Sequence, residues 1–357
     1  MNKFRHIAGQ FLDPSGNPEI TPISNGLIND TYLIKNSGWN EKYVLQKINQ
    51  QVFPEPDKVM DNLICIVNHL ANRPDPRYQL LKLIKTITND DYYVDTQKDY
   101  WRLFEYLENT STIDQITDPV QALEASRAFG NFIRRLNDLE TQEVKETIKD
   151  FHNYQSRIIK LNEAARKDEM SRKIHCREEL DFIEKRLPYI NKFYSLSLPI
   201  RIIHSDTKID NILFDRQLER AVCVIDLDIA MPGSVLYDYG DMVRSYTNKV
   251  KEDDPDLSLI ELEHDILYYL TRGFLEETMS LLTKQEIKNL ILGAKIVILL
   301  QAIRNLTDFL MGDVYYKINY ETHNLVRAQN QLKLLNCVEK DEKKFQNMIN
   351  SIIRNMK

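Results

Sequence analysis

Glycine is the scarcest commodity in this sequence: 10 in 357 residues, where ordinary usage of about 7% would give roughly 25. A chain this poor in glycine cannot rely on several Gly-rich phosphate loops, so any phosphate chemistry falls to side chains, helix ends or metal ions. Cysteine is sparse too. Cys65, Cys176, Cys223 and Cys337 lie far apart with no C-x-x-C pair, which argues against a disulfide frame or a cysteine zinc site and for free thiols in a reducing compartment. Positive charge is not in excess, since 47 Lys and Arg face 53 Asp and Glu. Nucleic acid is therefore not expected as the main partner, because phosphate neutralisation needs a basic face. The N-terminus, MNKFRHIAGQFLD, lacks the apolar centre of a signal peptide. The most apolar run, residues 290–303, is interrupted by Lys295 and is too short to span a bilayer. A cytoplasmic protein without a membrane partner is expected.

What is present suits a globular chain. Hydrophobic residues at 43% and charged ones at 28% exclude wholesale disorder, and the length suggests two domains or lobes. The first hundred residues read as strands with punctuation. ISNGLINDTYLI, residues 23–34, holds two apolar pieces about an Asn-Gly turn, a hairpin signal. Residues 43–47 form a further strand. Asp57 opens an amphipathic helix carrying Val59, Leu63, Ile66, Val67 and Leu70. Residues 83–88 and 101–107 read as two more strands. From about Glu124 the pattern turns helical, and residues 156–194 are charged, helical and nearly free of glycine. One island, residues 201–228, interrupts the helices with two apolar strands about a charged turn. The polar stretch 108–117 marks the boundary, giving lobes of 1–108 and 109–357.

The island carries the strongest chemical signal. His204, Asp206, Lys208 and Asn211 spell H-x-D-x-K-x-x-N, and Asp226 follows fifteen residues after Asn211 at the end of a strand. Phosphoryl transfer needs such parts: a carboxylate to orient the attacking hydroxyl, and a neutral oxygen and a second carboxylate to hold magnesium against the phosphates. A hairpin that returns Asp226 to the loop of Asp206 and Asn211 would assemble them.

HSDTKIDNILFD followed by VIDLD resembles the catalytic and metal motifs of the aminoglycoside phosphotransferase and choline kinase superfamily, relatives of the protein kinases. NGLINDTYLI, WRLFEYLENTSTID, DFHNYQSR, VIDLDIAMPGSVLYDYGDMVR and RNLTDFLMGDVYYKI extend the likeness and are most similar to the N-acetylhexosamine 1-kinase branch. The resemblance implies a two-lobed, protein-kinase-like α+β fold with a small mixed N-terminal lobe and a mainly helical C-terminal lobe. It implies ATP and Mg2+ as cofactors and a small-molecule sugar as substrate. Asp206 would be the catalytic base, Asn211 and Asp226 the magnesium ligands, His204 a support for the loop, and Lys208 a cation for the γ-phosphate. Arg304 and Tyr315 would reach the sugar. His152, Asn153 and Arg157 belong to a matching segment without an assigned role.

The chain also departs from the protein-kinase pattern. Asp228 stands where D-F-G has its glycine, and would contact a second metal or the substrate, or face solvent. Only Gly26 remains in the nucleotide loop. The third strand should offer Lys or Arg to the phosphates; alternation puts Val44 and Gln46 on one face and Leu45 and Lys47 on the other. A small residue two before the lysine of V-A-I-K favours Gln46 as the cleft residue, with Lys47 its rival. The partner acid is Asp57 or Asp61, left open. Residues 101–107 fit the strand entering the hinge, where the Glu105 carbonyl and the Leu107 amide would meet adenine. Ala294, Val297, Gln301, Arg304 and Asp308 share one helical stripe that ends at Gly312, and a plain i,i+4 ion pair is the bland reading of its polar end.

The reading is ATP-dependent phosphorylation of the anomeric hydroxyl of N-acetylglucosamine or N-acetylgalactosamine by a protein favoured as a monomer. The alternatives are a phosphotransferase for another hydroxyl acceptor, an aminoglycoside or choline, and a nucleotide-binding pseudokinase module.

Overall fold

The computed structural model describes residues 2–13, 18–23, 28–36 and 41–356. The first part of the chain is a helix α1 (Asn2–Ala8), strands β1 (Glu19–Pro22), β2 (Asp30–Asn36) and β3 (Glu41–Lys47), helix α2 (Pro56–Ala71), then β4 (Leu83–Ile84), β5 (Tyr93–Val94) and β6 (Tyr100–Glu105). These strands form one antiparallel sheet in the order β1-β2-β3-β6-β4, with β5 also paired to β6. Alternation sorts its faces. Leu45 is fully buried with Ile34, Leu103 and Trp101 under Ile7 and Ala8 of α1. Val44 and Phe104 face the other way and pack with Val59, Met60 and Leu63 of α2. The sheet is thus held between two helices, of which only α2 was expected.

The remainder runs β7 (Thr110–Ser111), α3 (Pro119–Arg135), α4 (Tyr154–Lys167), α5 (Arg177–Glu184), α6 (Leu187–Tyr194), β8 (Arg201–Ile203), β9 (Ile212–Asp215), β10 (Ala221–Val224), β11 (Met231–Gly233), α7 (Val235–Tyr246), α8 (His264–Thr278), α9 (Lys284–Lys288), α10 (Leu290–Leu310), α11 (His323–Lys340) and α12 (Glu342–Asn355). The fold is mixed α+β, with a small sheet-bearing N-terminal lobe and a mainly helical C-terminal region, as the resemblance implied. Asp118 and Gln121 close a capping box at the start of α3, ahead of Pro119 at the first helical position. Helices α7, α10 and α11 pack side by side, and close approach explains two of the few glycines. A Cβ on Gly240 would lie 2.5 Å from the Gly293 carbonyl oxygen, and one on Gly293 would lie 2.7 Å from that of Leu236.

Several expectations shift. β1 pairs residues 19–22 with 32–35, so the hairpin's first strand lies before Ile23 and not within 23–34, and Asn25 and Gly26 fall outside the described residues. The strand expected over 83–88 is only Leu83–Ile84, because Thr86 turns the chain back through Asp90 N–H to its hydroxyl, 2.9 Å. The stretch 156–194 is helical as expected but divided among three helices, the first ending at Asp168, a left-handed cap at φ 44°. The island holds three strands. Arg201–Ile203 pairs with β11, and β9 with β10 and with β7, a strand inside the stretch read as unpatterned. The apolar run around 290–303 belongs to a 21-residue helix, α10, long and apolar enough to cross a membrane. Its core-helix character therefore rests on burial, 83% of the apolar window, and not on being short.

Candidate active site

β8 delivers His204 into the core, where it is 0% exposed. The edges of Phe129 and Phe132 face its ring, and Nε2 donates to the Ile225 carbonyl at 2.9 Å while Nδ1 accepts from Asp206 N–H at 3.3 Å. Burial first of all pushes its pKa below the usual histidine range, so the ring is neutral. His204 does not open to the cleft; it braces the backbone ahead of both Asp206 and Asp226. Next to it Ser205 holds φ 70°, a left-handed conformation costing about 1–3 kcal/mol outside glycine. Asp238 of α7 holds that turn, accepting the His204 and Ser205 N–H groups at 2.8 Å each, and its own carbonyl accepts the Thr207 hydroxyl at 2.8 Å. Asp238 is wholly buried, which raises its carboxyl to about 7. No role was read for it from the sequence.

The loop then brings the expected residues together. Asn211 donates from its amide nitrogen to the Asp206 carbonyl at 2.9 Å and carboxylate at 3.1 Å, which leaves its amide oxygen as the available ligand. The Asn211 carbonyl accepts Ile225 N–H at 3.0 Å, so the residue before Asp226 is tied to the loop of Asp206 from a second side. Lys208 Nζ lies 3.3 Å from Asp206 and 4.0 Å from Asp210. Asp206 above all lifts the ammonium's pKa, and the lysine stays charged. Asp226 opens to the cleft with φ 57°. Crowding by protein atoms, then the charges of Asp228 and Asp206, raise its carboxyl, against the pull of Arg102 and Lys208. A cation would relieve this concentration of negative charge. Among the described residues no three His, Cys, Asp or Glu side chains close into a metal cage. Mg2+ requires none, since it takes one or two protein oxygens and fills its shell with water and phosphate. The hard oxygens of Asp226 and Asn211 fit that ion.

Asp228 departs from what was expected of it. Its carboxylate is 2% exposed, pairs with Arg102 at 2.7 and 2.9 Å, and accepts Asn29 at 2.7 Å, so it neither faces solvent nor is free for substrate. Gln46 is on the same face of the sheet, and its amide oxygen accepts Arg102 Nε and Nη2 at 3.1 and 2.8 Å. Lys47 is on the opposite face, 3.0 Å from Asp99, and is excluded from the cleft by the strand's alternation. Neither helix acid serves as partner: Asp57 accepts the hydroxyls of Tyr92 and Tyr100, and Asp61 pairs with Lys145. At the hinge the Glu105 amide donates to Lys82 at 2.9 Å, and among the described residues the Leu107 amide meets no acceptor.

α4, α10 and the loop after Gly312 meet around Arg304. Arg304 donates to the Phe151 carbonyl at 2.6 Å and lies 4.4 Å over the Phe151 ring. Among the described residues Arg157 and Arg304 make no ion pair, and the Nε of each is buried without a partner, as is His152 Nε2. Burial, then the charge of Arg304, pulls the Arg157 pKa down, and His152 is held neutral by burial and both arginines. Asp308 is not Arg304's ion partner. It accepts the Tyr315 and Tyr316 N–H groups at 2.8 and 2.9 Å and Asn324 at 2.9 Å, fixing the loop. Tyr315 lies at the rim, 65% exposed, while Tyr316 turns inward toward Gln301 and Arg304. A chain of contacts links this cluster to α7, whose Asp238 holds the turn before Asp206: Gln301 and Asn305 donate to Glu252 at 3.1 and 3.2 Å, and Arg244 joins Glu252 to Asp241, both at 2.8 Å.

Arg102, Asp238, Arg157 and Tyr316 are the residues sequence reasoning missed. Arg102 left one trace, a lone charge inside the apolar strand YWRLF, and Asp238 another, an acid within the apolar VLYDYG.

Residues 19–263 match the profile of the phosphotransferase enzyme family. Among solved structures the chain is similar to a microcompartment-associated aminopropanol kinase, with TM-score 0.60, 14% identity, and coverage of 96% of this chain and 98% of that one. It is similar to an ethanolamine kinase of Plasmodium vivax at TM-score 0.58 and 15% identity, covering 92% and 86%. It is similar to an aminoglycoside phosphotransferase of Alicyclobacillus acidocaldarius at TM-score 0.56 and 13% identity, covering 98% and 95%. At such identities these three carry the fold alone.

Proposed function

The chain belongs to the phosphotransferase enzyme family, and on that footing we propose that it transfers the γ-phosphate of ATP to the anomeric hydroxyl of an N-acetylhexosamine, N-acetylglucosamine or N-acetylgalactosamine. In this reading residues 1–108 hold the nucleotide and 109–357 the catalytic loop and sugar. Asp206 orients the hydroxyl and receives its proton as the anomeric oxygen bonds to the γ-phosphorus. The bond from that phosphorus to the bridging oxygen breaks, and ADP leaves. Bound through Asp226 and Asn211, Mg2+ supplies charge neutralisation on the phosphates. Lys208 screens Asp206 and the incoming phosphate. An anomeric hydroxyl is more acidic than other sugar hydroxyls, so a carboxylate is a sufficient base.

The observation that carries the sugar reading is the pair Arg157 and Arg304, two neighbouring guanidiniums that make no ion pair among the described residues and each keep a buried Nε without a partner. Such donors suit hydroxyl and acetamido oxygens and repel a cationic amine. A second reading, a cationic amino alcohol, is favoured by Asp210 Oδ1 and Asp241 Oδ2, buried carboxylate oxygens without partners near Asp206. A coupled ADP-release assay over N-acetylhexosamines, choline and kanamycin separates them. The sugar should lead by at least about 100-fold in kcat/KM, a margin of roughly 2.7 kcal/mol that one or two buried hydrogen bonds supply. A lead for either amine rejects the sugar.

A further inference from the structure

Two deeply enclosed charges hold a place that the sequence reading gave to neither of them. Arg102 and Asp228 are each 2% exposed and joined by two hydrogen bonds, 2.7 and 2.9 Å. They belong to different lobes: Arg102 lies on β6 of the nucleotide-side sheet, while Asp228 lies two residues past Asp226. Around them the polar groups are matched on both sides. Gln46 accepts two N–H groups of Arg102 and donates to Thr31 Oγ1 at 3.2 Å. Asn29 donates to Asp228 and accepts Asn49 N–H at 3.0 Å, while the Asp228 carbonyl accepts the Thr147 hydroxyl at 2.7 Å. Thr31, Gln46 and Arg102 are in register across β2, β3 and β6, so the row lies square to the strands and ends on Asp228.

Burying such a pair removes two ions from water, and a well-packed apolar pair of similar size is often as stable or more so. Stability alone therefore does not account for it. Its geometry does one thing an apolar contact would not: a bidentate, directional link fixes the separation between the sheet and the Asp226–Asp228 turn. Asp226 is itself in a left-handed conformation, φ 57°, which its surroundings must hold.

We propose that Arg102 and Asp228 are a positioning pair that sets the distance between the nucleotide-side sheet and the metal carboxylate Asp226, with Gln46 and Asn29 orienting the two partners. The pair takes the place left empty by Gln46 on β3 and by the absence of a helix acid facing it. This inference rests on the phosphotransfer reading of the site and adds the residues that hold its geometry.

The test compares Arg102→Gln, Asp228→Asn, Arg102→Lys and the apolar double variant Arg102→Met/Asp228→Leu. Melting temperature, Mg2+·ATP binding by calorimetry, half-saturating Mg2+ and the acceptor KM are read for each. Both single neutral variants should raise half-saturating Mg2+ at least tenfold and leave the acceptor KM within twofold. Arg102→Lys should recover part of that loss, since an ammonium pairs with Asp228 without the fork. The double variant should regain the melting temperature and not the Mg2+ dependence. Half-saturating Mg2+ within twofold of wild type in the single variants, or its recovery together with stability in the double variant, would overturn the proposal. So would a double variant that stays folded and binds Mg2+·ATP as wild type does. Calorimetry needs no acceptor, so a wrong sugar leaves it untouched. Failure of the phosphotransfer reading would show instead as no Mg2+-dependent ATP binding by the unaltered chain.

Discussion

The two walls of the cleft treat charge in opposite ways. On the nucleotide side the cations are answered: Arg102 by Asp228 and Gln46, and Lys208 by Asp206. On the proposed acceptor side Arg157 and Arg304 stand beside a neutral histidine and, among the described residues, keep buried Nε groups without acceptors. Buried polar groups in folded proteins are nearly always satisfied, so a cluster of unsatisfied ones marks where a ligand completes the bonding. A matched pair marks geometry that must hold before any ligand arrives. In the proposed reaction the first wall would position and the second would bind.

The contrast is broken most severely at the loop joining both walls. Asp226→Ala should abolish Mg2+-dependent turnover, because the ion loses its only carboxylate ligand in this reading. Asn211→Ala, which removes a neutral ligand that water replaces, should be milder. The reverse order at saturating Mg2+ would refute the ranking. Asp206→Asn keeps shape and removes the proton acceptor, so kcat should fall by about 10² to 10⁴ with ATP affinity little changed. Turnover within threefold of wild type would remove Asp206 from the role of base.

The acceptor wall responds differently. Arg304→Ala should raise the KM for sugar about tenfold or more, equal to about 1.4 kcal/mol, and leave the KM for ATP within twofold. Any fall in melting temperature should be small, because the lost hydrogen bond to the Phe151 carbonyl and the lost ring contact are offset by relief of a like charge beside Arg157. A purely structural role would instead predict destabilisation with unchanged kinetics.

A subtler effect concerns Asp226 without metal. Its folded-state pKa is raised, so ionising it costs stability that the protonated form retains. Asn resembles the protonated form. In EDTA the melting temperature of Asp226→Asn should match wild type near pH 4 and exceed it progressively as pH rises through the raised pKa, in a chain with little or no turnover. A constant difference across that range would show that Asp226 feels no such penalty. Smallest of all is Lys47→Ala: its ammonium pairs with Asp99 on the far face, so the KM for ATP should stay within twofold.

Much of this was legible because spacing survives folding. The H-x-D-x-K-x-x-N run and the later Asp226 converge, since β9 and β10 form a hairpin and Ile225 N–H bonds back to Asn211. Alternation put Gln46 and Lys47 on opposite faces, and the structure has Gln46 on the face of Arg102 and Lys47 beside Asp99. What was not legible depends on register between distant strands. Arg102 reaches Gln46 only because β6 pairs with β3 in one particular register, and Asp228 is enclosed only because Asn29 and Arg102 converge on it from residues far away in sequence. Tyr315, the residue expected to reach the sugar, lies at the rim while Tyr316 turns inward because of how Asp308 caps the loop, a tertiary detail that an i,i+4 stripe does not contain.

The most direct test of the central claim is phosphorus NMR on one mixture: the protein, Mg2+ and ATP with equimolar N-acetylglucosamine, N-acetylgalactosamine, choline and kanamycin. The account predicts a sugar phosphate whose phosphorus couples to the anomeric proton, growing as the ATP γ signal declines. A phosphate on any other sugar carbon, or on choline or kanamycin in preference to the sugars, would contradict it.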